Sequence, residues 1–349
     1  MTDLLALTAE LVDIPSVSLD ERAIADHLEA ELGAVPWLTV DRVGDNVVAR
    51  TTLGRDQRLL LVGHTDTVPV NENDVARIEG DTLWGLGSCD MKGGVAVFLE
   101  LARTVAEPVV DVTYVFYVAE EIAAEHSGLL QLFRERPDLM KGDAAVLGEP
   151  TGAAIEAGCQ GTLRARATFT GARAHTARPW MGVNAIHRMG ELLRVLDGYE
   201  ARRPVLDGCE YREALQAVAV DGGVAGNVVP DRATVTLNHR FAPDRSADEA
   251  IAHVREVASM ADDVDVLDVA PGAPPALDHP LLAALARGRE VRAKLGWTDV
   301  ARMHEHGVPA CNFGPGDPTI AHTRDEHVTR ADIEAVHVAL HDLLTGRNP

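Results

Sequence analysis

The 349-residue chain is 46% apolar and 25% charged, a globular composition that excludes a chain that is disordered, collagen-like or coiled-coil throughout. Its 54 acidic and 32 basic residues give a formal net charge of −22, which argues against nucleic acid or an anionic membrane surface as the main partner, since both require a cationic face. A small anionic substrate stays compatible, because a few arginines dominate the field of a pocket.

Length alone suggests about two domains. Cys89, Cys159, Cys209 and Cys311 are far apart and form no CxxC pair, so neither a disulfide framework nor a thiolate zinc site is indicated. The first residues carry Asp3 and Glu10 without a basic region, and no apolar run is long enough to span a bilayer. A cytoplasmic chain with reduced thiols is expected.

Helical spacing covers residues 3–13 and stops before Pro15. Ser18 and Glu21 have the spacing of a capping box for a helix reaching about Leu32. Gly44-Asp45-Asn46 separates two β-like runs as a hairpin would. Buried strands are expected at 59–62, 112–118 and 144–147, and helices from about Gly93 to Arg103 and over Gly128–Glu135. Strands alternating with helices point to an α/β layer architecture.

The middle of the chain reads differently. Strands at 163–170, 217–221, 234–241 and 264–269 and helices at 183–196 and 247–259 follow the order β-α-β-β-α-β, the ferredoxin-like arrangement. Pro271-Gly272-Ala273-Pro274-Pro275 then reads as a linker. The expectation is a discontinuous first domain, 1–161 and 274–349, with a second domain, 162–273, inserted into it.

Candidate metal ligands fall just beyond the expected strands. His64 and Asp66 follow the first buried strand, Asp90 ends a glycine-rich loop, Glu120-Glu121 follow the second strand, and Glu149 follows the third. Parallel strands would bring these groups to one rim, where open α/β sheets bind ligands. One imidazole with several carboxylates and no thiolate suits zinc or a neighbouring divalent ion. The carboxylates exceed the needs of one open zinc, so a pair of metals sharing a carboxylate is expected. Asp66 is close enough in sequence to orient His64. In a loop, both glutamates of the 120–121 pair can turn inward, one as ligand and one as base.

His304/His306 and His337/His341 lack such context and read as structural. Cys89 has no visible base partner and reads as a packing residue. His175 lies in the inserted domain, in Gly171-Ala172-Arg173-Ala174-His175-Thr176-Ala177-Arg178-Pro179. It reads as a substrate or transition-state contact rather than a ligand.

The motifs Gly63-His64-Thr65-Asp66-Thr67-Val68-Pro69, Gly87-Ser88-Cys89-Asp90-Met91-Lys92-Gly93-Gly94, Glu120-Glu121 and Gly148-Glu149-Pro150 occur with Gly171–Pro179, Gly226-Asn227-Val228-Val229-Pro230 and Ala321-His322. In this order they resemble, over essentially the whole chain, the di-zinc amidohydrolase and exopeptidase family. That family includes succinyl-diaminopimelate desuccinylase, acetylornithine deacetylase, aminoacylase and carboxypeptidase G.

The resemblance implies a zinc-exopeptidase-like α/β catalytic domain, with a mixed, mostly parallel sheet flanked by helices. The inserted ferredoxin-like α+β domain would serve as lid and dimerisation surface of a homodimer. It implies two Zn2+ per subunit, with Co2+ as a substitute. His64 and Glu149 would hold one ion, Glu121 and His322 the other, and Asp90 would bridge them. Asp66 would orient His64, Glu120 would be the general base, and His175 of the partner subunit would stabilise the oxyanion. The Asp90–Met91 peptide is often cis in the family. Asn227 and Arg240 match substrate-contacting positions, and Arg178 and Gly314 complete the candidate substrate-binding set.

The implied reaction is hydrolysis of a small anionic acylamino acid. Residues 156–162, 221–227, 297–302 and 312–318 favour, by the same resemblance, N-succinyl-LL-2,6-diaminopimelate over N-acetylornithine, other acylamino acids and dipeptides. Ile122-Ala123-Ala124-Glu125-His126-Ser127-Gly128 departs from the loop of many members. It is expected to change the pocket rim and not the ligands.

Overall fold

The computed structural model describes residues 2–347. The described chain divides into two compact units. The first comprises the residues up to Ala157, Ala276–Arg292 and the stretch from Arg302 onward. The second comprises Gly158–Pro275 and Ala293–Ala301. Segment 293–301, expected with the first domain, is held in the second by Gln160 N–H to the Lys294 carbonyl (3.2 Å) and Trp297 Nε1–H to the Pro271 carbonyl (3.1 Å).

In the first unit, α1 (Leu4–Val12) and α2 (Arg22–Gly33) precede a hairpin of β1 (Thr39–Val43) and β2 (Asn46–Arg50). Then come β3 (Arg58–His64), β4 (Arg77–Glu79), β5 (Thr82–Trp84), α3 (Gly93–Thr104), β6 (Asp111–Tyr117), α4 (Gly128–Glu135), β7 (Ala144–Leu147) and β8 (Ile155–Ala157). The second unit holds β9 (Gly161–Thr170), α5 (Ala185–Asp197), the short β10 (Val205–Leu206) and β11 (Cys209–Glu210), β12 (Ala214–Gly222), β13 (Arg232–Phe241), α6 (Ala247–Val257) and β14 (Asp263–Ala270). The chain closes with α7 (Pro280–Ala286), β15 (Val291–Ala293), α8 (Val300–Glu305), β16 (Ala310–Asn312), β17 (His327–Thr329) and α9 (Arg330–Leu344).

The main sheet runs β1-β2-β6-β3-β7-β16-β8-β15. Its centre, β6-β3-β7-β16, is parallel, while β1, β2 and β8 pair antiparallel. The sheet is therefore mixed with a parallel heart, as expected. Leu59, Leu60, Leu61 and Val62 of β3 are fully buried because both faces of a central strand are covered. Each such side chain contributes about 1.5–3 kcal/mol on burial. The core joins Leu5 and Leu11 of α1, Phe98 and Leu101 of α3, and Ile333 and Leu340 of α9.

The second unit's sheet has the order β12-β13-β9-β14, with neighbouring strands antiparallel. This is the ferredoxin-like order that the β-α-β-β-α-β sequence pattern predicts. Ala233, Val235, Leu237, His239 and Phe241 face inward at period two on β13. They pack with Leu163 and Phe169 of β9, Met189 and Leu192 of α5, and Val254 of α6.

One expectation at the start of α2 is corrected. Ser18 and Glu21 do not form a capping box, and α2 begins without a side-chain cap. Ser18 Oγ instead donates to Asp66 Oδ2 at 2.7 Å, and Glu21 Oε1 accepts the Ala119 N–H at 3.0 Å. Both side chains are drawn off the helix to support the loops that carry the candidate site.

Candidate active site

The parallel centre of the sheet explains the assembly of the site. His64 is paired with Tyr117 across β3 and β6, and Val62 with Leu147 across β3 and β7. These three strands therefore end level with one another. The segments that follow, 65–67, 118–121 and 148–150, start from one rim, as open α/β sheets arrange their ligand crevice.

His64, Asp90 and Glu121 each offer a donor atom within 4.8 Å of the others. His64 Nε2 lies 3.1 Å from Asp90 Oδ1. His322 Nε2 lies 2.8 Å from Glu121 Oε1 and 3.4 Å from Asp90 Oδ2. The two Asp90 oxygens thus face different imidazoles, which is the disposition of a carboxylate shared between two ions. Glu149 follows β7, beside β3, and is buried. The Asp90–Met91 peptide is cis.

Asp66 is fully buried and organises the rim. Its Oδ1 accepts the backbone N–H of Glu120 at 2.9 Å, and its Oδ2 accepts that of Glu121 at 3.1 Å. Ala119, immediately before this pair, holds a left-handed backbone (φ 57°), a conformation costing of order 1–3 kcal/mol that the surrounding contacts sustain. Toward His64, Asp66 offers its backbone carbonyl at 3.1 Å from Nδ1 and its carboxylate at 3.6 Å. The carbonyl makes the nearer contact, which sequence spacing had not indicated. Nδ1–H donating to it would leave Nε2 as the ligating nitrogen once a metal ion replaces the proton shared with Asp90.

The electrostatics call for a cation. Burial opposes charge on His64, but the Asp66 and Asp90 carboxylates outweigh it and raise its pKa well above the usual value. Asp90 and Glu121 raise His322 to about 10. Burial opposes charge on Asp90, yet the two imidazoles hold its pKa well below the carboxylate range. Protons are thus held where carboxylates and imidazoles converge, and a divalent ion supplies the same positive charge. The oxygen and nitrogen donors, with no thiolate, fit zinc or a neighbouring divalent ion. Cys89 is buried, and burial followed by the Glu326 and Asp90 charges pushes its thiol up, so it offers no thiolate.

Peptidase family M20/M25/M40 matches residues 60–346 of the chain. The chain belongs to this family. As an M20 member it is a metal-dependent hydrolase of amide bonds. A Mycobacterium tuberculosis protein assigned as a succinyl-diaminopimelate desuccinylase, DapE, is 53% identical over 348 residues, covering 99% of this chain and 98% of that one. The succinyl-diaminopimelate desuccinylase of Corynebacterium glutamicum is 44% identical over 355 residues, covering 98% and 96%. The structure of Bacillus subtilis YXEP, described as a dinuclear metal-binding peptidase of the M20 family, aligns with TM-score 0.71 at 17% identity over 99% of this chain and 97% of that one, a likeness of fold.

In this M20 chain the remaining candidates fall in two groups. His175, Arg178 and Asn227 are exposed on loops of the second unit, and Arg240 is half-buried on β13. The Thr176 N–H donates to the Asn227 carbonyl at 3.0 Å, which joins the two loops. Gly314 lies in the first unit, packed against the turn that carries Glu149. It is buried, its carbonyl accepts Thr151 N–H and Ala153 N–H, and its N–H donates to Thr151 Oγ1. A Cβ there would stand 2.1 Å from the Gly148 carbonyl oxygen, so the position needs glycine to seat the Gly148-Glu149 turn.

Of the divergent loop, residues 122–126 are not buried, and Ser127 caps α4. His306 packs on Phe133 at 3.8 Å between ring centroids, and His337 stacks on His341 at 5.9 Å. The sequence reading missed Ser18 and Glu21 as supports of the site. Their only signal was a serine and a glutamate in a stretch that a capping box explained equally well.

Proposed function

We propose that this protein hydrolyses N-succinyl-LL-2,6-diaminopimelate to succinate and LL-2,6-diaminopimelate, using two zinc ions per subunit for which cobalt(II) substitutes. The full-length similarity to the two desuccinylases carries the substrate assignment. The cluster of His64, Asp90, Glu121 and His322 supports the metal centre. His64 and Glu149 would hold one ion, Glu121 and His322 the other, and Asp90 would serve both. When bound, the ions polarise the scissile carbonyl and make a water acidic enough to attack at neutral pH.

The chain's residues then divide the work. Glu120, held by Asp66 through its backbone, takes the proton from the attacking water and delivers it to the leaving amine. His175 of the partner subunit donates to the developing oxyanion. Arg178 and Arg240 clamp substrate carboxylates, since guanidinium binds carboxylate bidentately, and Asn227 supplies a neutral contact. Burial lowers the Arg240 pKa from its ordinary value, the desolvation that strengthens such a pair. We assign the active form as a homodimer joined through the second unit. We assign it to the cytoplasm, which suits four buried free cysteines. Among the described residues, no helix is long and apolar enough to cross a membrane. The test is zinc-dependent succinate release by metal-stripped protein.

A further inference from the structure

Glu326 lies four residues beyond His322, just before β17, and is almost completely buried. One of its carboxylate oxygens, Oε1, accepts two backbone N–H groups, from Cys89 at 3.1 Å and from Asp90 at 3.2 Å. Its backbone carbonyl accepts the Gly85 N–H at 3.1 Å. Glu326 therefore grips both ends of the loop 85–90. Lys92, also buried, donates to the Ile14 carbonyl at 2.8 Å and brings a positive charge that interacts with the Glu326 carboxylate. A buried amide pair without an acceptor would be costly, and the Glu326 side-chain oxygen supplies one to both N–H groups.

We infer that Glu326 is a positioning residue: its carboxylate fixes the Cys89–Asp90 backbone so that the two Asp90 oxygens are presented to His64 and His322. The geometry is directional. The segment that delivers His322 also delivers Glu326, and Glu326 holds the loop that carries Asp90. Seating that segment therefore sets an imidazole and the shared carboxylate together. The Glu326 carboxylate accepts from the Cys89 and Asp90 backbone, so its effect runs through Asp90. The inference rests on the reading of Asp90 as a shared metal ligand.

The test compares Glu326→Gln, which keeps one acceptor oxygen, with Glu326→Met, which keeps the length of the side chain and removes the acceptor. Zinc stoichiometry and affinity of metal-stripped protein are read by competition with a chromophoric chelator, beside thermal unfolding of the same metal-free samples. Glu326→Gln is expected to bind two zinc ions with affinity close to wild type. Glu326→Met is expected to weaken the second by about 10–100-fold, the usual cost of losing a support behind a ligand. A purely structural role would lower the unfolding temperature of Glu326→Met and leave zinc affinity unchanged, and that result overturns the inference. Equal losses in Gln and Met also overturn it, because the charge and not the acceptor would then matter. If Glu326→Met is not recovered folded, Glu326→Asp, which withdraws the acceptor by one methylene, takes its place. Weakened zinc binding supports the inference and wild-type affinity overturns it. Wild-type protein that binds no zinc would overturn the reading of the site and this inference with it. Two zinc ions in wild type and undiminished affinity in Met would overturn this inference alone.

Discussion

Asp66 Oδ1 accepts the backbone N–H of Glu120 at 2.9 Å. The buried carboxylate behind the cluster thus fixes the peptide that carries the candidate base, and its other oxygen fixes the next residue, a candidate ligand, at 3.1 Å. Asp66→Ala removes both acceptors and is expected to lower kcat by roughly 10–100-fold while the protein stays folded. Asp66→Asn, which retains one acceptor oxygen, should fall between. Steady-state kinetics with metal analysis of the same preparations checks this, and a wild-type kcat in Asp66→Ala would remove the support role.

Glu120 is expected to matter for proton transfer and not for metal retention. Glu120→Ala should keep both metal equivalents and lose turnover by roughly 10²-fold or more. Loss of metal together with turnover would recast Glu120 as a ligand.

His322 is half-exposed, yet its Nε2 approaches both Glu121 and Asp90. Replacing it by alanine should leave the ion held by His64 and Glu149 and lose the other. Elemental analysis after exhaustive dialysis should give about one zinc per chain, against two in wild type, under the expected ligand assignment. Two tightly held equivalents in the variant would exclude His322 as a ligand.

Much of the site was legible because a parallel sheet converts sequence order into proximity. Hydrophobic runs ending at Val62, near Val118 and at Leu147 are followed within three residues by His64, Glu120 and Glu149, and level strand ends then suffice to gather them. The ferredoxin-like unit was equally readable, since alternating inward residues on β13 specify register. The supports were not legible. Ser18, Glu21 and Glu326 act on residues 48, 98 and 236 or more positions away, through isolated long-range hydrogen bonds that leave no periodic trace. Strands β4, β5, β8, β15, β16 and β17, each three residues long, are too short to carry a pattern. Segment 293–301 joins the second unit through contacts that include the Lys294 carbonyl and the Trp297 indole, neither of which leaves a periodic pattern in the sequence.

His239 ties the stability of the second unit to pH. Its Nδ1–H donates to the Ala214 carbonyl at 3.0 Å, and its Nε2 accepts from Arg245 at 3.2 Å. Burial pushes its pKa down to about 4 from the usual 6.5. The unfolded chain therefore binds a proton more readily than the folded chain. The stability this neutral imidazole contributes is fully present above pH 6.5 and is lost as pH falls through about 4. His239→Gln retains a donor and an acceptor without titrating. Urea midpoints measured between pH 7 and pH 4.5 should fall more steeply in wild type than in His239→Gln, and parallel slopes would contradict the assignment.

The most direct measurement is amide hydrolysis by metal-stripped protein, before and after addition of zinc, on N-succinyl-LL-2,6-diaminopimelate and N-acetylornithine side by side. The expected result is no cleavage without zinc and, with zinc, cleavage that strongly favours the succinyl compound. Preferential cleavage of N-acetylornithine would contradict the substrate assignment, and equal cleavage with and without zinc would contradict the metal centre.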